Sequence, residues 1–259
     1  MTETTQLPDT AARPLRGRIA LVTGVSRRAG IGLAVARRLL DLGATVMTTG
    51  WRAHDAATSW GDDPPDELPF PHLERDLADP DEPAALIDHV IAEHGALDIV
   101  LAVHTRSSPH DLAATTAAEL DACWAVNVRS VVLLARHFAA AHEPERPGGR
   151  MIWFTSGQGE QPMPSELPYA ITKGALHQMT PSLADTLADR GIVANCINPG
   201  PVETGWASPE LHARVATMFP TGRWGTTDDV ANLVGFLVGD AGAWIQGQVI
   251  NSEGGFRRA

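Results

Sequence analysis

Tyrosine and lysine are nearly missing from this chain: among 259 residues there is one of each, so nineteen of the twenty Lys and Arg residues are arginine. Cysteine is almost as scarce. Cys123, in a helical pattern, and Cys196, in an apolar strand pattern, have no spacing that would build a disulfide framework or a metal site, so a reducing compartment and no metal are expected. A basic surplus is also lacking. The net charge of −11 disfavours nucleic acid and anionic membrane surfaces, both of which are gripped through clustered Lys and Arg. No apolar run approaches the ~20 residues that cross a bilayer, and residues 1–16 lack the basic-then-apolar order of a secretion signal. The expectation is a disordered tail over 1–16 followed by one domain over 17–259. Such a protein is expected to be cytoplasmic, with small molecules rather than nucleic acid or membrane as its partners.

What is present is alternation. At 44% hydrophobic residues the chain can bury a large core, and short β-rich runs alternate with longer helical patterns, as when crossover helices join parallel strands. Strands are expected at 18–23, 45–49, 72–75, 97–103, 150–155, 193–197 and 248–251, with helices at 31–42, 83–93, 117–141, 168–189, 209–218 and 228–238. The Asp-, Pro- and Gly-rich stretch 51–70 reads as an exposed loop. This order predicts an α/β protein: a single-domain Rossmann fold whose doubly wound, parallel, seven-stranded sheet carries helices on both faces.

The first strand ends in Thr23-Gly24 and leads through Val25, Ser26, Arg27, Arg28 and Ala29 to Gly30-Ile31-Gly32 and a helix. A dinucleotide pyrophosphate requires this strand, turn and helix order. Gly24 permits the tight turn, Gly30 lets the backbone approach the phosphates, and Gly32 lets the helix pack closely on the sheet. The common Gly-x-Gly-x-x-Gly spacing is absent. At the end of the second strand, where NAD-binding folds place a carboxylate on the ribose hydroxyls, stands Gly50, followed by Trp51 and Arg52. Without that acid a ribose 2′-phosphate meets no repulsion, and Arg52, Arg27 and Arg28 can make charge-assisted hydrogen bonds to it. NADP(H) is therefore the expected cofactor.

The lone tyrosine and the lone lysine stand four residues apart, in Tyr169-Ala-Ile-Thr-Lys173. On a helix that spacing puts both on one face, so the Lys173 ammonium is expected to favour the Tyr169 phenolate and draw a pKa of ~10 toward neutrality. A phenol so tuned is a proton donor and acceptor.

Tyr-x-x-x-Lys, with Ser156 thirteen residues before the tyrosine, resembles the active-site arrangement of the short-chain dehydrogenase/reductase family, and of its 3-oxoacyl-carrier-protein reductase-like members in particular. The resemblance runs over about residues 18–256 and includes Asn198-Pro199-Gly200-Pro201-Val202-Glu203-Thr204 and Gly247 to Gly255. It implies that Ser156 binds the substrate oxygen and that Asn127 holds a water linking Lys173 to solvent. It also implies cofactor contacts from Ser26 and Ile31 beside the glycines, from Asp76 and Leu77 at the adenine, from Tyr169 and Lys173, and from Pro199, Gly200, Val202 and Thr204 at the nicotinamide. The implied activity is NADPH-dependent reduction of a ketone, such as a 3-oxoacyl thioester or a secondary-metabolite ketone, to a secondary alcohol, or the reverse, by a homodimer or homotetramer. Trp206, Met218, Phe219 and the loop 160–168 are expected to contact substrate.

Two departures from the family pattern stand out. Ala102-Val103-His104-Thr105 replaces the usual Asn-Asn-Ala-Gly, leaving His104 either a substrate group or a structural contact. The glycine loop is two residues longer, as in enoyl-reductases, whose Tyr-to-Lys spacing is also longer; the spacing here favours carbonyl chemistry. A non-catalytic NADP-binding regulatory or structural subunit is the alternative reading. Retention of Tyr169, Lys173, Ser156 and Asn127 weighs against it.

Overall fold

Alternate residues of each central strand face opposite sides of one sheet. The computed structural model describes residues 13–58, 63, 68–143, 145–146 and 148–256. Its strands are β1 (Ile19–Thr23), β2 (Thr45–Gly50), β3 (His72–Glu74), β4 (Ile99–Ala102), β5 (Gly149–Phe154), β6 (Ile192–Asn198) and β7 (Val249–Asn251). Ala20 and Val22 of β1, Ile99 and Leu101 of β4, and Ile152 and Phe154 of β5 enter one core. Leu21, Val100, Met151 and Trp153 enter the other. These strands read as unbroken apolar runs because neither set of side chains faces water.

The helices are α1 (Ile31–Asp41), α2 (Arg52–Ala56), α3 (Glu82–His94), α4 (Ala117–Trp124), α5 (Ser130–Ala141), α6 (Leu167–Ala188), α7 (Pro209–Ala216) and α8 (Thr227–Val238). α1 and α8 cover the first core, and α3, α5 and α6 cover the second. Side chains close several helix starts: Thr116 on α4, Ser208 on α7, and Thr226 in a reciprocal pair with Asp229 on α8. Each satisfies an amide that the first turn leaves open. α1 begins at Gly30 with no side-chain cap.

The strand order is β3-β2-β1-β4-β5-β6-β7 with every pair parallel. The winding reverses between β1 and β4, which opens a crevice at the carboxyl ends of these strands. The helical stretch expected over 117–141 is continuous but carries a π turn at Ala125–Arg129 between α4 and α5. Such an extra residue per turn re-aims a side chain in mid-helix.

Two expectations change. Residues 13–16 are not tail: Leu15 is fully buried in the first core and its N–H donates to the Leu42 carbonyl at 2.9 Å. An apolar side chain found a groove at the end of α1, and that burial outweighs the polar composition around it. Residues 1–12 lie outside the described ones. Within the loop expected over 51–70 stands α2, while 59–62 and 64–67 lie outside the described residues. Among the described residues no helix is long and apolar enough to cross a membrane.

Candidate active site

At the crevice, sterics fix the glycine loop. Gly24 turns with φ 74°, and a Cβ there would lie 2.5 Å from the His104 nitrogen. On Gly32 a Cβ would lie 2.3 Å from the Gly24 carbonyl oxygen. The missing acid at the end of β2 has the same cause, since a Cβ on Gly50 would lie 2.9 Å from the Val25 carbonyl oxygen as the loop crosses above. The uncapped amides at the start of α1, beside Gly30 and Ile31, form an anion-binding end. These residues fit a dinucleotide pyrophosphate.

The arginines expected at a 2′-phosphate are not free cations. Arg52 donates from Nε to Glu74 at 2.7 Å, and its backbone N–H donates to the same carboxylate at 3.1 Å. Arg28 pairs with Asp63 at 3.5 Å. Arg27 runs beside Gly205, on the loop after β6. Trp51, Arg52, Ala53, Ala56 and Glu74 line a cavity of about 480 Å³. An acid unforeseen from sequence also stands here: Asp55 on α2 accepts a short hydrogen bond from the Ser26 hydroxyl. Asp76 accepts the Ala78 N–H at 2.9 Å, the bond of a local turn, and the Leu77 side chain is buried, which leaves its backbone for any cofactor contact.

Ser156, Tyr169 and Lys173 come together where β5 ends against α6. The Lys173 nitrogen lies 5.4 Å from the centroid of the Tyr169 ring and donates to the Phe154 carbonyl at 2.8 Å. An ammonium has three donors, and this is the one protein bond it makes among the described residues. The Thr155 hydroxyl donates to the Lys173 carbonyl at 2.8 Å, locking strand to helix. The nearby Ser156 hydroxyl favours the Tyr169 phenolate, but burial outweighs it and pushes the phenol up to about 12, with Glu166 adding in the same direction. Burial brings Lys173 down to about 8. The expectation that Lys173 draws the phenol toward neutrality is therefore corrected, because desolvation dominates. At neutral pH Tyr169 is a protonated acid.

Asn127, in the π turn, has no spare side-chain hydrogen bond. Its oxygen accepts the Arg106 N–H at 2.6 Å and the Thr105 hydroxyl at 3.2 Å, and its amide nitrogen donates to the Arg106 carbonyl at 3.0 Å and the Thr172 hydroxyl at 2.9 Å. A side-chain amide has four such positions. The side chain is thus a strut between the loop after β4 and α6, which leaves the backbone of the π turn for the water expected at Asn127.

His104 is structural. Its Nδ1 lies 2.6 Å from the Thr23 hydroxyl, and its Nε2 lies 3.1 Å from the Val126 carbonyl and 2.7 Å from the Ser130 hydroxyl. Because a carbonyl only accepts, Nε2 carries the proton and Nδ1 accepts from Thr23. Burial, with Lys173 adding to it, pushes the imidazole down to about 4. The unfolded chain, with an ordinary value of ~6.5, takes up a proton that the native ring refuses. The resulting stability is complete above pH ~6.5 and is lost as pH falls toward the native value, about 3 kcal/mol in all. Urea unfolding at about pH 7 and about pH 5 checks this: His104→Gln should flatten the acid loss, and an equal loss in both proteins would refute it.

At the far end of the crevice, Gly200 turns with φ 63° and its N–H donates to Asn198 at 3.1 Å. A Cβ on Gly200 would lie 2.6 Å from that of Glu253. Beyond it, Pro199 and Thr204 are partly buried and Val202 is buried. Trp206 is 46% exposed, donates to the Val202 carbonyl at 3.3 Å, and meets Trp224 edge-on. Phe219 differs from expectation: it packs against Phe256 at 5.0 Å in a small core with Trp224, against which Met218 also rests. That core carries the wall that Trp206 presents. Glu203 pairs with His212 of α7 at 2.6 Å, tying the helix to this loop. Among the described residues no group of acids, histidines and cysteines could hold a metal.

Within the loop 160–168 expected to contact substrate, the residue not singled out from sequence is Glu166, a half-buried acid one turn before Tyr169. Its signal was visible, as a carboxylate beside the Leu-Pro-Tyr start of an otherwise apolar helix.

Comparison with known proteins gives consistent matches over most of the chain. A family model described as Enoyl-(Acyl carrier protein) reductase matches residues 24–257. An uncharacterized oxidoreductase of Bacillus subtilis (strain 168), YjdA, is 36% identical over 247 residues, covering 93% of this chain and 97% of the relative. An NADPH-dependent aldehyde reductase-like chloroplastic protein of Arabidopsis thaliana is 35% identical over 260 residues, covering 94% and 95%. Among solved structures, a short chain dehydrogenase from Burkholderia cenocepacia J2315 in complex with NADP superimposes with a TM-score of 0.80 at 31% identity, covering 93% of this chain and 98% of that one.

Proposed function

Because the chain belongs to the short-chain dehydrogenase/reductase family, we propose that it uses NADPH to reduce a ketone or aldehyde to the alcohol, with Tyr169 as the proton donor. The observation that carries this reading is the meeting of Ser156, Tyr169 and Lys173 at the carboxyl end of β5. NADPH, when bound, supplies a hydride. Ser156 and Tyr169 hydrogen-bond the substrate oxygen, where negative charge develops as the carbonyl carbon is reduced. Tyr169 gives its proton to that oxygen, which completes the alcohol. With its phenol held near 12, Tyr169 is protonated throughout the neutral range, as reduction requires; oxidation needs the phenolate and is favoured by alkali. The two ammonium protons of Lys173 not held by Phe154 suit the ribose hydroxyls. Asn127 keeps the π turn and α6 in register, so any water relay passes by its backbone rather than its side chain.

The cofactor preference rests on Gly50 and Arg52. Glu74 competes for the Arg52 guanidinium, so Glu74→Gln is expected to tighten NADPH several-fold and leave NADH unaffected. Arg52→Ala weakens NADPH by about tenfold, as expected for loss of a charge-assisted bond. Dissociation constants for both cofactors check this; equal changes for NADPH and NADH would remove Arg52 from 2′-phosphate recognition.

Candidate substrate classes are 3-oxoacyl thioesters and secondary-metabolite ketones. NADPH consumption against these, simple aldehydes and an enoyl thioester tests the reading. Turnover confined to the enoyl thioester would transfer the chain to carbon–carbon double-bond reduction, and tight NADPH binding with no turnover would favour the non-catalytic alternative. Trp124, Val132 and Ile171 lie exposed on α4, α5 and α6, which suits assembly of this chain into a dimer or tetramer.

A further inference from the structure

Glu166 occupies the residue just ahead of α6, with φ −138° and ψ 42°, yet its side chain does not cap the helix. Among the described residues its carboxyl makes no hydrogen bond or ion pair, although it is half-buried. It stands three residues before Tyr169, close enough to act on its phenol. The next residue, Leu167, donates its N–H to the His110 carbonyl at 2.8 Å, so the loops that follow β4 and β5 meet at this point. A half-buried carboxyl without a partner costs stability. Keeping one beside the reacting phenol is a feature of a recognition site, since the fold gains nothing from it.

We propose that Glu166 is a specificity-determining residue that accepts a hydrogen bond from a hydroxyl group next to the reacting carbonyl, so that hydroxylated aldehydes and ketones are the preferred substrates. This rests on the reductase reading above and names its substrate class. Glu166 lies close enough to Tyr169 to act on its phenol, and the Lys173 ammonium lies 5.4 Å from the centroid of that ring. A substrate ammonium next to a carbonyl docked on Tyr169 would approach Lys173 as well as Glu166, whereas a hydroxyl carries no charge to be repelled. An anionic substrate would be repelled by the carboxylate itself. Burial alone holds the Glu166 carboxyl above the usual carboxylate range, in keeping with a site that takes a neutral partner.

The test is a set of matched pairs reduced with NADPH: glyceraldehyde against propanal, and hydroxyacetone against butanone, with aminoacetone added. The native enzyme is expected to favour each hydroxylated member in kcat/KM by roughly ten- to a hundredfold, the range of a hydrogen bond to a charged group. Glu166→Leu should collapse that ratio, mainly through KM, and Glu166→Gln should restore part of it, since an amide oxygen still accepts. NADPH affinity reports that each variant is folded. An unchanged ratio in Glu166→Leu, or a stronger preference for aminoacetone, overturns the proposal while leaving the reductase reading intact. Failure of every carbonyl compound to react, with NADPH bound, overturns both.

Discussion

Phenylalanine in place of Tyr169 is expected to lower turnover by roughly 10²–10⁴-fold, the usual worth of a positioned general acid, while NADPH binding stays within a few-fold. The ring keeps its place at the start of α6, so packing and the 5.4 Å approach of Lys173 survive. What disappears is the phenol proton and its interaction with the nearby Ser156 hydroxyl. Ser156 alone still steadies the developing charge, so some residual rate is expected. Single-turnover NADPH oxidation separates the chemical step from binding. Undiminished turnover in the variant would remove Tyr169 from the mechanism.

The second large effect lies at the other end of the cofactor crevice. Gly32→Ala puts a Cβ 2.3 Å from the Gly24 carbonyl oxygen, 2.9 Å from its carbon and 3.2 Å from Val25 Cγ2. Two of these atoms are backbone, so no side-chain rotation relieves the clash. Either the turn or α1 must move, and overpacking of this kind costs about 1–3 kcal/mol. The same movement displaces the amides at the head of α1, and NADPH affinity is expected to fall by at least about tenfold. Gly174→Ala is the matched control: nothing lies within 4 Å of its Cβ, and alanine stabilises a helix interior by about 0.5–1 kcal/mol. Urea unfolding and NADPH titration of both variants measure the contrast. Equal behaviour would mean that the glycine loop tolerates a side chain.

Much of this architecture was legible because burial on both faces leaves a plain mark. Strands such as 97–103 and 150–155 have no polar alternation, and helices between them show three- and four-residue spacing. Tyr169 and Lys173 were legible because their spacing is a helix face. The rest depended on contacts across the fold. Arg52 and Glu74 meet only because Gly50 pairs with Glu74 in the register of β2 and β3, and no local pattern gives that register. Asp55 reaches Ser26 from a helix hidden in a stretch rich in turn formers. The phenol shift was misread because spacing reports proximity to a charge but not desolvation, and desolvation is the larger effect here. Leu15 sat in polar surroundings whose composition masked one well-placed apolar side chain.

The central claim is that Tyr169 protonates an oxygen while the cofactor's hydride goes to the adjacent carbon. Incubating the enzyme with NADPH carrying deuterium at the transferable position, and with the aldehydes and ketones named above, tests it directly. The account predicts deuterium on the carbinol carbon of the product with the native chain and almost none with Tyr169→Phe. Bound NADPH that delivers no deuterium to any carbonyl carbon would contradict it.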